Sequence, residues 1–489
     1  MKAAVVGAGW AGLSAALGLH RQGWEVTIFE AAPAIGGRAR SVSSAKLGVE
    51  LDNGQHILIS AYAETLALLR SLHGGNLDTR CATLPLAWES TDGSFSLRVP
   101  AGLPSRLALG WGLFTAQGLS WLARWRAAQA LTRLALARWQ TPPGQTVEQW
   151  LNHTRQPATL RERFWRPLCL ATMNTPAHAA CAQLFAHVLR DSLGQGAQAC
   201  RIVLPSVTLG ELWKSSELRR LDIRLRSPVR ELRLAPNVSA AEYALMPAST
   251  NAGDKQPPCP AIPHQSESPH GGQPKVYVDG EPFDAVIVAT PSAVAHRLLQ
   301  GLPPCPAGHA YLAPFASLTP LPIATLYLRL AARWRLPRPM LLLRDAPEQG
   351  QYGQWVFDRA AFMRGDDTPV LSIVISDAGA LADCGETAVV EGVLAQLRAQ
   401  LERAGPMPAV LGHQLIVEKR ATFAALPGLP RPQQETPWPG VFVAGDWTDT
   451  GYPAVLEGAV RSGLAAAQAL DSDIPGSQQG KAQRHRNPE

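Results

Sequence analysis

The chain has 489 residues, of which 46% are hydrophobic and only 17% are charged. A chain of this length is expected to form two or more domains, and its composition excludes a wholly disordered chain, a collagen-like chain and a polytopic membrane protein. Its seven cysteines form no Cys-x-x-Cys pair, which argues against a metal or thioredoxin-like site and suggests a reducing, cytoplasmic compartment.

The N-terminus has the order of strand, glycine turn, helix, strand and acidic residue that dinucleotide-binding folds require. A short apolar strand at residues 3–6 leads into the Gly-x-Gly-x-x-Gly run of residues 7–12. A second strand at residues 25–29 ends at Glu30, which is expected to accept hydrogen bonds from a ribose. We interpret the segment as a dinucleotide site and not as a signal peptide.

The glycine run is expected to contact the pyrophosphate. Gly7 permits the tight turn, Gly9 lets the backbone approach the phosphates, and Gly12 lets the helix pack against the strand. Trp10 and Ala11 stand between these glycines, where the N–H groups and the dipole of the helix N-terminus favour an anion. We therefore count all five residues as cofactor-binding.

A second glycine turn follows Glu30 closely and consists of Gly36, Gly37 and Arg38. It places a flexible loop and a cation near the same pyrophosphate; the alternative is a surface loop whose arginine is solvated. This turn resembles the extension found in the flavin-containing amine oxidase and phytoene desaturase superfamily. The resemblance implies that the cofactor is FAD and that Arg38 lies near its phosphates or flavin.

No acidic residue lies between Asp92 and Glu148, so this segment carries the whole formal net charge of +6. Its basic residues are six arginines, at positions 98, 106, 124, 126, 133 and 138. A local concentration of positive charge favours an anionic partner at this part of the molecule.

The same segment has the composition of a membrane-surface element. Residues 107–123 contain no charge and are barely long enough to span a bilayer, but their glycines and polar residues argue against spanning. Tryptophans occur among the leucines and arginines, at positions 111, 121, 125 and 139. We therefore predict that residues 101–140 dock peripherally on the inner face of the cell membrane. The alternative is a helical lid that packs on its own domain.

Between the terminal motifs, two segments are assigned to the cofactor site and one is predicted to interrupt it. Residues 283–290 form a predicted strand that ends at Ala289 and Thr290, and Val229 occupies the position where the superfamily contacts the adenine. Residues 237–274 are rich in proline, serine and glycine without apolar periodicity, which predicts a disordered insertion. Residues 472–489 are predicted to form a flexible tail.

A second strand–turn–helix unit lies near the C-terminus. The apolar strand at residues 441–444 leads into Gly445 and Asp446, and Asp446 is placed to hold ribityl hydroxyl groups. A helix is predicted to begin near Glu457, where its N-terminus would stabilise negative charge on a reduced flavin. The residues of this turn that are expected to contact the cofactor are Pro453, Ala454, Glu457, Gly458 and Ala459.

Three further runs narrow the resemblance: residues 52–58 (Asp-Asn-Gly-Gln-His-Ile-Leu), residues 164–176 around Trp-Arg-Pro-Leu-Cys, and residues 185–191. With the flavin motifs they resemble the hydroxysqualene dehydroxylases, or squalene-associated FAD-dependent desaturases, of bacterial hopanoid synthesis. The resemblance covers nearly the whole chain outside residues 237–274. It implies reduction of hydroxysqualene to squalene by reduced FAD, and it assigns cofactor contacts to Asn53, Gly54 and Gln55.

Because cofactor motifs lie near both ends of the chain, the FAD-binding domain must be discontinuous. We predict an α/β fold in which a Rossmann-like FAD-binding domain of the glutathione-reductase type carries an inserted α+β substrate domain. The FAD-binding domain is assigned residues 1–95, 200–300 and 415–471. The substrate domain is assigned residues 96–199 and 301–414, with predicted strands at 323–328 and 370–375 and a helix near 387–404.

The implied reaction needs a proton donor, because hydroxide is a poor leaving group at neutral pH. The candidate catalytic residues are His56, Asp52 and Glu457. His56 is the candidate donor, with a structural histidine bonded to the backbone as the alternative. For Asp52 we favour a capping or flavin-contacting role, and for Glu457 a place at the helix start near the flavin.

The implied substrate is a long apolar isoprenoid. Thirty carbons at roughly 0.8 kcal/mol each are worth about 20 kcal/mol against water, which equals the ceiling for non-covalent binding. The substrate must therefore be taken from a bilayer. No second Gly-x-Gly-x-x-Gly run is present, so the electron donor is unknown and external, and a hydroxysqualene-forming synthase is a candidate partner. Nothing in the sequence supports a nucleic-acid partner.

Other functions stay open at this stage. A carotenoid- or phytoene-type desaturase or isomerase would share the fold, the cofactor and the kind of substrate. A non-catalytic, lipid-binding flavoprotein is a second alternative. An amine oxidase is disfavoured, because many of them place a lysine near the flavin and no lysine lies between Lys275 and Lys419.

Overall fold

A computed structural model describes residues 1–100, 103, 105–235 and 276–473 of the chain. The predicted insertion at 237–274 lies outside the described residues, and so does the predicted tail from residue 474 onward. The last described helix continues to Asp473, two residues into the range assigned to that tail.

The strands, in chain order, are β1 (Lys2–Val6), β2 (Glu25–Phe29), β3 (Ser41–Ser44), β4 (Val49–Asp52), β5 (Leu58–Ile59), β6 (Cys81–Leu84), β7 (Ala87–Glu89), β8 (Ser96–Arg98), β9 (Ile202–Pro205), β10 (Asp222–Arg224), β11 (Leu232–Leu234), β12 (Val276–Val278), β13 (Glu281–Phe283), β14 (Ala285–Val288), β15 (Pro320–Leu330), β16 (Met340–Leu342), β17 (Trp355–Asp358), β18 (Val370–Ile375), β19 (Val410–Phe423) and β20 (Val441–Val443).

The helices are α1 (Trp10–Arg21), α2 (Ala63–Leu72), α3 (Ser105–Phe114), α4 (Trp121–Leu136), α5 (Val147–His153), α6 (Ala158–Leu160), α7 (Arg166–Met173), α8 (Ala182–Leu189), α9 (Leu209–Leu212), α10 (Ser292–Gln300), α11 (Pro306–Leu312), α12 (Glu386–Gln400) and α13 (Leu456–Asp473). Two π-helical segments, Arg161–Trp165 and Arg190–Gly194, precede α7 and follow α8.

A parallel sheet with the strand order β10-β2-β1-β14-β20 forms the centre of the cofactor half. Its middle strands are buried along nearly their whole length, as expected for a parallel sheet covered on both faces. Helices α1 and α13 pack closely because Gly463 brings its backbone against Ala11. The α/β, Rossmann-like fold class is confirmed.

The second large sheet has the order β16-β17-β18-β15-β19, and its paired strands are antiparallel. Both strands predicted for this region occur in it, as β15 and β18. The predicted helix near 387–404 is α12, which ends at Gln400 and is followed by a short 3₁₀ turn. Strand β19 crosses the predicted boundary at residue 415 because it pairs with β15 along its length.

Residues 105–136 form a helical hairpin, made by α3 and α4. The chain breaks between Phe114 and Trp121, where Ser120 caps the N-terminus of α4. A seam of small side chains on α4, which includes Ala123, Ala127 and Ala130, faces the protein. Within the described residues, no helix is long and apolar enough to cross a membrane.

Candidate functional site

The glycine turn after β1 leaves space in front of α1. Gly7 has a φ of +106°, and a Cβ atom there would lie 2.6 Å from the carbonyl oxygen of Ala289, so only glycine fits without strain. Gly9 is the N-cap of α1 and provides no side-chain cap. A Cβ atom on Gly9 would meet only the Cα of Gly37, at 3.9 Å. The helix N-terminus is therefore open to an anionic group, as a dinucleotide pyrophosphate requires.

Glu30 lies beside this opening at the end of β2. Its carboxylate accepts hydrogen bonds from the N–H groups of Ala8 (2.6 Å) and Ala32 (2.8 Å). The indole of Trp10 donates to the carbonyl of Ala39 at 3.1 Å and packs edge-on against Trp213. Trp10 can therefore contribute to the site through its backbone.

An ion pair joins the two ends of the chain at the site. Arg38 donates to Asp446 at 2.5 Å and to the carbonyl of Ala421 at 2.6 Å. Burial opposes the charge of Arg38, but Asp446 holds its pKa above the usual value. Gly445, the neighbour of Asp446, donates its N–H to Ser462 at 2.8 Å, which ties the strand end to α13.

The run that follows β4 bridges the two large sheets. Asn53 donates to the carbonyl of Arg38 (3.2 Å) and to Glu418 (3.1 Å). Gln55 accepts a hydrogen bond from Ser372 at 2.8 Å. A Cβ atom added to Gly54 would lie 3.5 Å from the hydroxyl oxygen of Thr325. This run therefore lies where the cofactor half meets the second sheet.

His56 has a defined tautomer. Its Nδ1 lies 2.8 Å from the carbonyl oxygen of Gly54, so Nδ1 carries a proton and donates it. Burial, together with the charge of Arg38, lowers the pKa of His56. The neutral ring therefore presents Nε2 as an acceptor, and His56 can give up a proton from Nε2 only after it has taken one up.

Asp52 is buried and accepts a hydrogen bond at a helix N-terminus. Its Oδ1 accepts a hydrogen bond from the N–H of Leu209, the first residue of α9, at 2.8 Å. Burial raises the pKa of the Asp52 carboxyl to about 6. Of the capping and flavin-contacting roles predicted for Asp52, this contact is of the capping kind.

Glu457 is fully buried and bound on both oxygens. It accepts hydrogen bonds from the N–H groups of Glu64 (3.2 Å) and Thr65 (3.0 Å), in the first turn of α2, and from Arg461 at 2.8 Å. The N-cap residue of α2, Tyr62, makes no capping hydrogen bond with its side chain, so the carboxylate of Glu457 takes the place of an N-cap side chain. These contacts favour a structural role for Glu457 over proton donation.

The remaining predicted cofactor residues lie in the segments that follow β10, β14 and β20. Thr290 accepts a hydrogen bond from Trp447 at 3.0 Å, which joins the loop after β14 to the loop after β20. Val229 is buried, and its carbonyl faces Arg297 at 3.5 Å. Others lie in the turn before α13 or in its first turn, namely Pro453, Ala454, Gly458 and Ala459.

Beside the turn before α13 lie side chains that the sequence analysis did not assign to the site. His187 and Asp191 contact this loop, Gln183 binds His187, and Arg431 donates to the carbonyl of Tyr452 at 2.7 Å. The four-residue spacing of these polar residues along α8 and the π-helical segment that follows it was the available signal.

The family model for flavin-containing amine oxidoreductases matches residues 10–471. The chain belongs to this family. Because the family contains flavin and the chain carries a dinucleotide-binding turn, the cofactor is FAD, and the protein is a flavin-dependent oxidoreductase. The open N-terminus of α1 fits the pyrophosphate of that cofactor.

Relatives match along nearly the whole chain. Hydroxysqualene dehydroxylase of Rhodopseudomonas palustris is 29% identical over 95% of this chain and 97% of its own length. The enzyme of the same name from Zymomonas mobilis is 26% identical over 95% and 97%. The resemblance to hydroxysqualene dehydroxylases is thereby confirmed. Among solved structures, cyclohexylamine oxidase from Brevibacterium oxydans covers 96% of the chain and 99% of its own, with a TM-score of 0.64 and 16% identity, and shares the fold.

Proposed function

We propose that this enzyme reduces hydroxysqualene to squalene with FAD, as a step of hopanoid (triterpenoid) biosynthesis. The observation that carries the proposal is full-length similarity to three hydroxysqualene dehydroxylases, at 26%, 28% and 29% identity. A probable zeta-carotene desaturase of Synechococcus elongatus is 33% identical, but over only 28% of this chain. The desaturase function therefore ranks second.

The reaction replaces a hydroxyl group by hydrogen, and water leaves. Bound reduced FAD would supply the hydride. The protein must supply a proton to the departing hydroxyl group and must exclude bulk water. We assign the proton to His56 in its protonated form, because Asp52 and Glu457 are engaged at helix N-termini. Since burial lowers the pKa of His56, turnover should fall as the pH rises, with a midpoint below the usual histidine value.

The surface of the hairpin supports extraction of the substrate from a membrane. Seven of the twelve exposed large hydrophobic side chains in the described residues lie between positions 103 and 136. Phe114 lies 6.0 Å from Trp111 and 5.9 Å from Trp121 between ring centroids, so these rings form one patch. Trp125 continues the patch one turn further, with the guanidinium of Arg126 5.1 Å from its ring. An aromatic patch with arginines fits a bilayer interface.

A cleft with a mixed polar and apolar lining lies beside the hairpin. Its volume is about 740 Å³; Phe95, Leu170 and Trp355 form its apolar part, and charged side chains, among them Glu148 and Arg166, line the rest. Arg163 stands at its edge and donates to the carbonyl oxygen of Gly118, between α3 and α4, at 2.8 Å. The cleft therefore lies next to the proposed membrane contact.

The proposed location is the cytoplasmic side of the cell membrane, where the enzyme docks peripherally. The six cysteines that the structure describes are unpaired, as a reducing compartment favours. An external donor would reduce the FAD. A hydroxysqualene-forming synthase would supply the substrate, which is too apolar to leave the bilayer unaided.

Anaerobic turnover tests the proposal. The purified flavoprotein is reduced with dithionite and mixed with hydroxysqualene in detergent, while flavin absorbance and squalene are followed together. We expect squalene to form as the flavin is reoxidised. Unchanged hydroxysqualene beside a bound, reducible flavin would favour the desaturase function instead. A protein that takes up no flavin would contradict both.

A further inference from the structure

Helix α8 presents polar side chains to the loop before α13, which we call the flavin loop (residues 449–455). Gln183 and His187 lie four residues apart in α8, and Asp191 follows after four more, in the π-helical segment. Side chains at this spacing share one face of a helix. The other face of α8 is buried and apolar, with Phe185 and Leu189 in the core. On this polar face His187 and Asp191 contact the flavin loop, and Gln183 binds His187.

Gln183 and His187 form the first contact. The amide of Gln183 accepts from the N–H of Thr141 (2.8 Å) and donates to the carbonyl of Trp139 (2.9 Å) and to Nε2 of His187 (2.8 Å). Nδ1 of His187 donates to the carbonyl of Gly451 at 2.9 Å. Both polar atoms of each side chain are thus satisfied, which fixes the ring of His187 and the backbone of Gly451.

Asp191 forms the second contact, through the next residue of the loop. The hydroxyl of Tyr452 donates to Asp191, whose carboxylate also binds Arg190 at 2.6 and 3.0 Å. The guanidinium of Arg461 lies 4.9 Å from the Tyr452 ring centroid, and Arg431 donates to the Tyr452 carbonyl. Tyr452 is therefore held at its hydroxyl group, its ring face and its backbone.

The charges make this contact persistent. Burial and the neighbouring carboxylate of Asp191 raise the pKa of Tyr452 to about 12, so its hydroxyl group stays a donor. Burial opposes the charge of Asp191, but Arg190 and Tyr452 hold the pKa of its carboxyl below the usual value. The hydrogen bond is charge-assisted, and such bonds are stronger than neutral ones.

We propose that Tyr452 and Asp191 are positioning residues for FAD, because their hydrogen bond fixes the flavin loop and with it the N-terminus of α13. The inference rests on the expectation that this helix end lies against the flavin. A helix N-terminus stabilises negative charge, and the effect fades within one turn. A displaced loop should therefore stabilise the reduced flavin less than the native loop does.

The midpoint potential of the bound flavin tests the proposal without any substrate. In the anaerobic holoenzyme, Tyr452→Phe should weaken the preference for reduced over oxidised flavin about tenfold, a shift of about 30 mV to more negative potential for a two-electron couple. Tyr352→Phe is the matched control, because its hydroxyl group contacts Cys384 and not the flavin loop. Its potential should equal that of the wild-type enzyme.

Two variants at Asp191 separate positioning from a direct effect of its charge. Asp191→Leu removes the acceptor and should shift the potential as Tyr452→Phe does, whereas Asp191→Asn keeps an acceptor oxygen but loses the charge and should shift the potential less. Unchanged potential in Tyr452→Phe or in Asp191→Leu overturns the proposal, and so does an equal shift in Asn and Leu. If either Tyr452→Phe or Asp191→Leu fails to fold, the potential of the other variant decides. A potential shift without squalene formation would refute the proposed function alone.

Discussion

The hairpin patch allows a quantitative prediction about vesicle binding. The change is Trp121→Ser together with Leu122→Ser, two side chains that are 66% and 56% exposed. A tryptophan side chain of ~200 Å² leaves about 130 Å² to be buried, worth roughly 3 kcal/mol at ~25 cal/mol per Å². The exposed part of the leucine adds about 1 kcal/mol. If half of this area enters the bilayer interface, the variant loses roughly 2 kcal/mol, or about 30-fold in affinity.

The assay is cosedimentation with vesicles of phosphatidylcholine alone or with phosphatidylglycerol added. Anionic lipid should strengthen binding of the wild-type protein, because each arginine near the surface contributes about 1 kcal/mol. Leu411→Ser is the matched control, since Leu411 is 63% exposed but lies on β19, outside the hairpin. Equal binding by all three proteins, or an equal loss in the control, would refute the assignment of this surface to the membrane.

Three further predictions concern single residues. Gly9→Ala should abolish FAD binding while the apoprotein unfolds at the wild-type temperature, whereas Gly7→Ala should destabilise the apoprotein by roughly 1–3 kcal/mol because of its positive φ; equal thermal denaturation curves for the two would contradict this. Asp52→Asn should gain stability relative to the wild-type protein as the pH rises from about 4 to about 7. The folded-state pKa of about 6 exceeds the ordinary 3.8, so the folded wild-type chain binds the proton more tightly than the unfolded chain does. Its free energy of unfolding therefore falls by up to roughly 3 kcal/mol as the pH rises through that window. A difference in denaturant midpoint between the two proteins that stays constant with pH would refute this. Glu457→Ala should lower the free energy of unfolding by about 3 kcal/mol, and Glu457→Gln should lower it less, because the amide keeps one acceptor. Loss of turnover with unchanged thermal stability in Glu457→Gln would instead make Glu457 the proton donor.

The cofactor half of the fold could be predicted because its signals are local. The glycine turn, the acidic end of β2 and the apolar strand β20 each need only a few adjacent residues. The fate of Glu457 could not be predicted in this way. Its partners are N–H groups of α2, almost four hundred residues earlier, and nothing near Glu457 in the sequence indicates that contact.

The candidate catalytic residues show the same limit. Asp52 and His56 lie in one short run, yet Asp52 turns to α9 and His56 to its own backbone. The carbonyl of Gly54 decides which nitrogen of His56 carries the proton, and burial together with the charge of Arg38 lowers the pKa of the ring. Such properties depend on three-dimensional neighbours, so the sequence could name these residues but could not assign their protonation states.

A single-turnover reaction in D₂O tests the central claim most directly. The transferable hydrogen of a reduced flavin exchanges with solvent, so a hydride delivered from FAD carries deuterium. We predict one squalene per reduced flavin, with one deuterium at the carbon that bore the hydroxyl group. Recovery of unchanged hydroxysqualene, or of squalene without deuterium, would contradict the assignment of this enzyme as a flavin-dependent dehydroxylase.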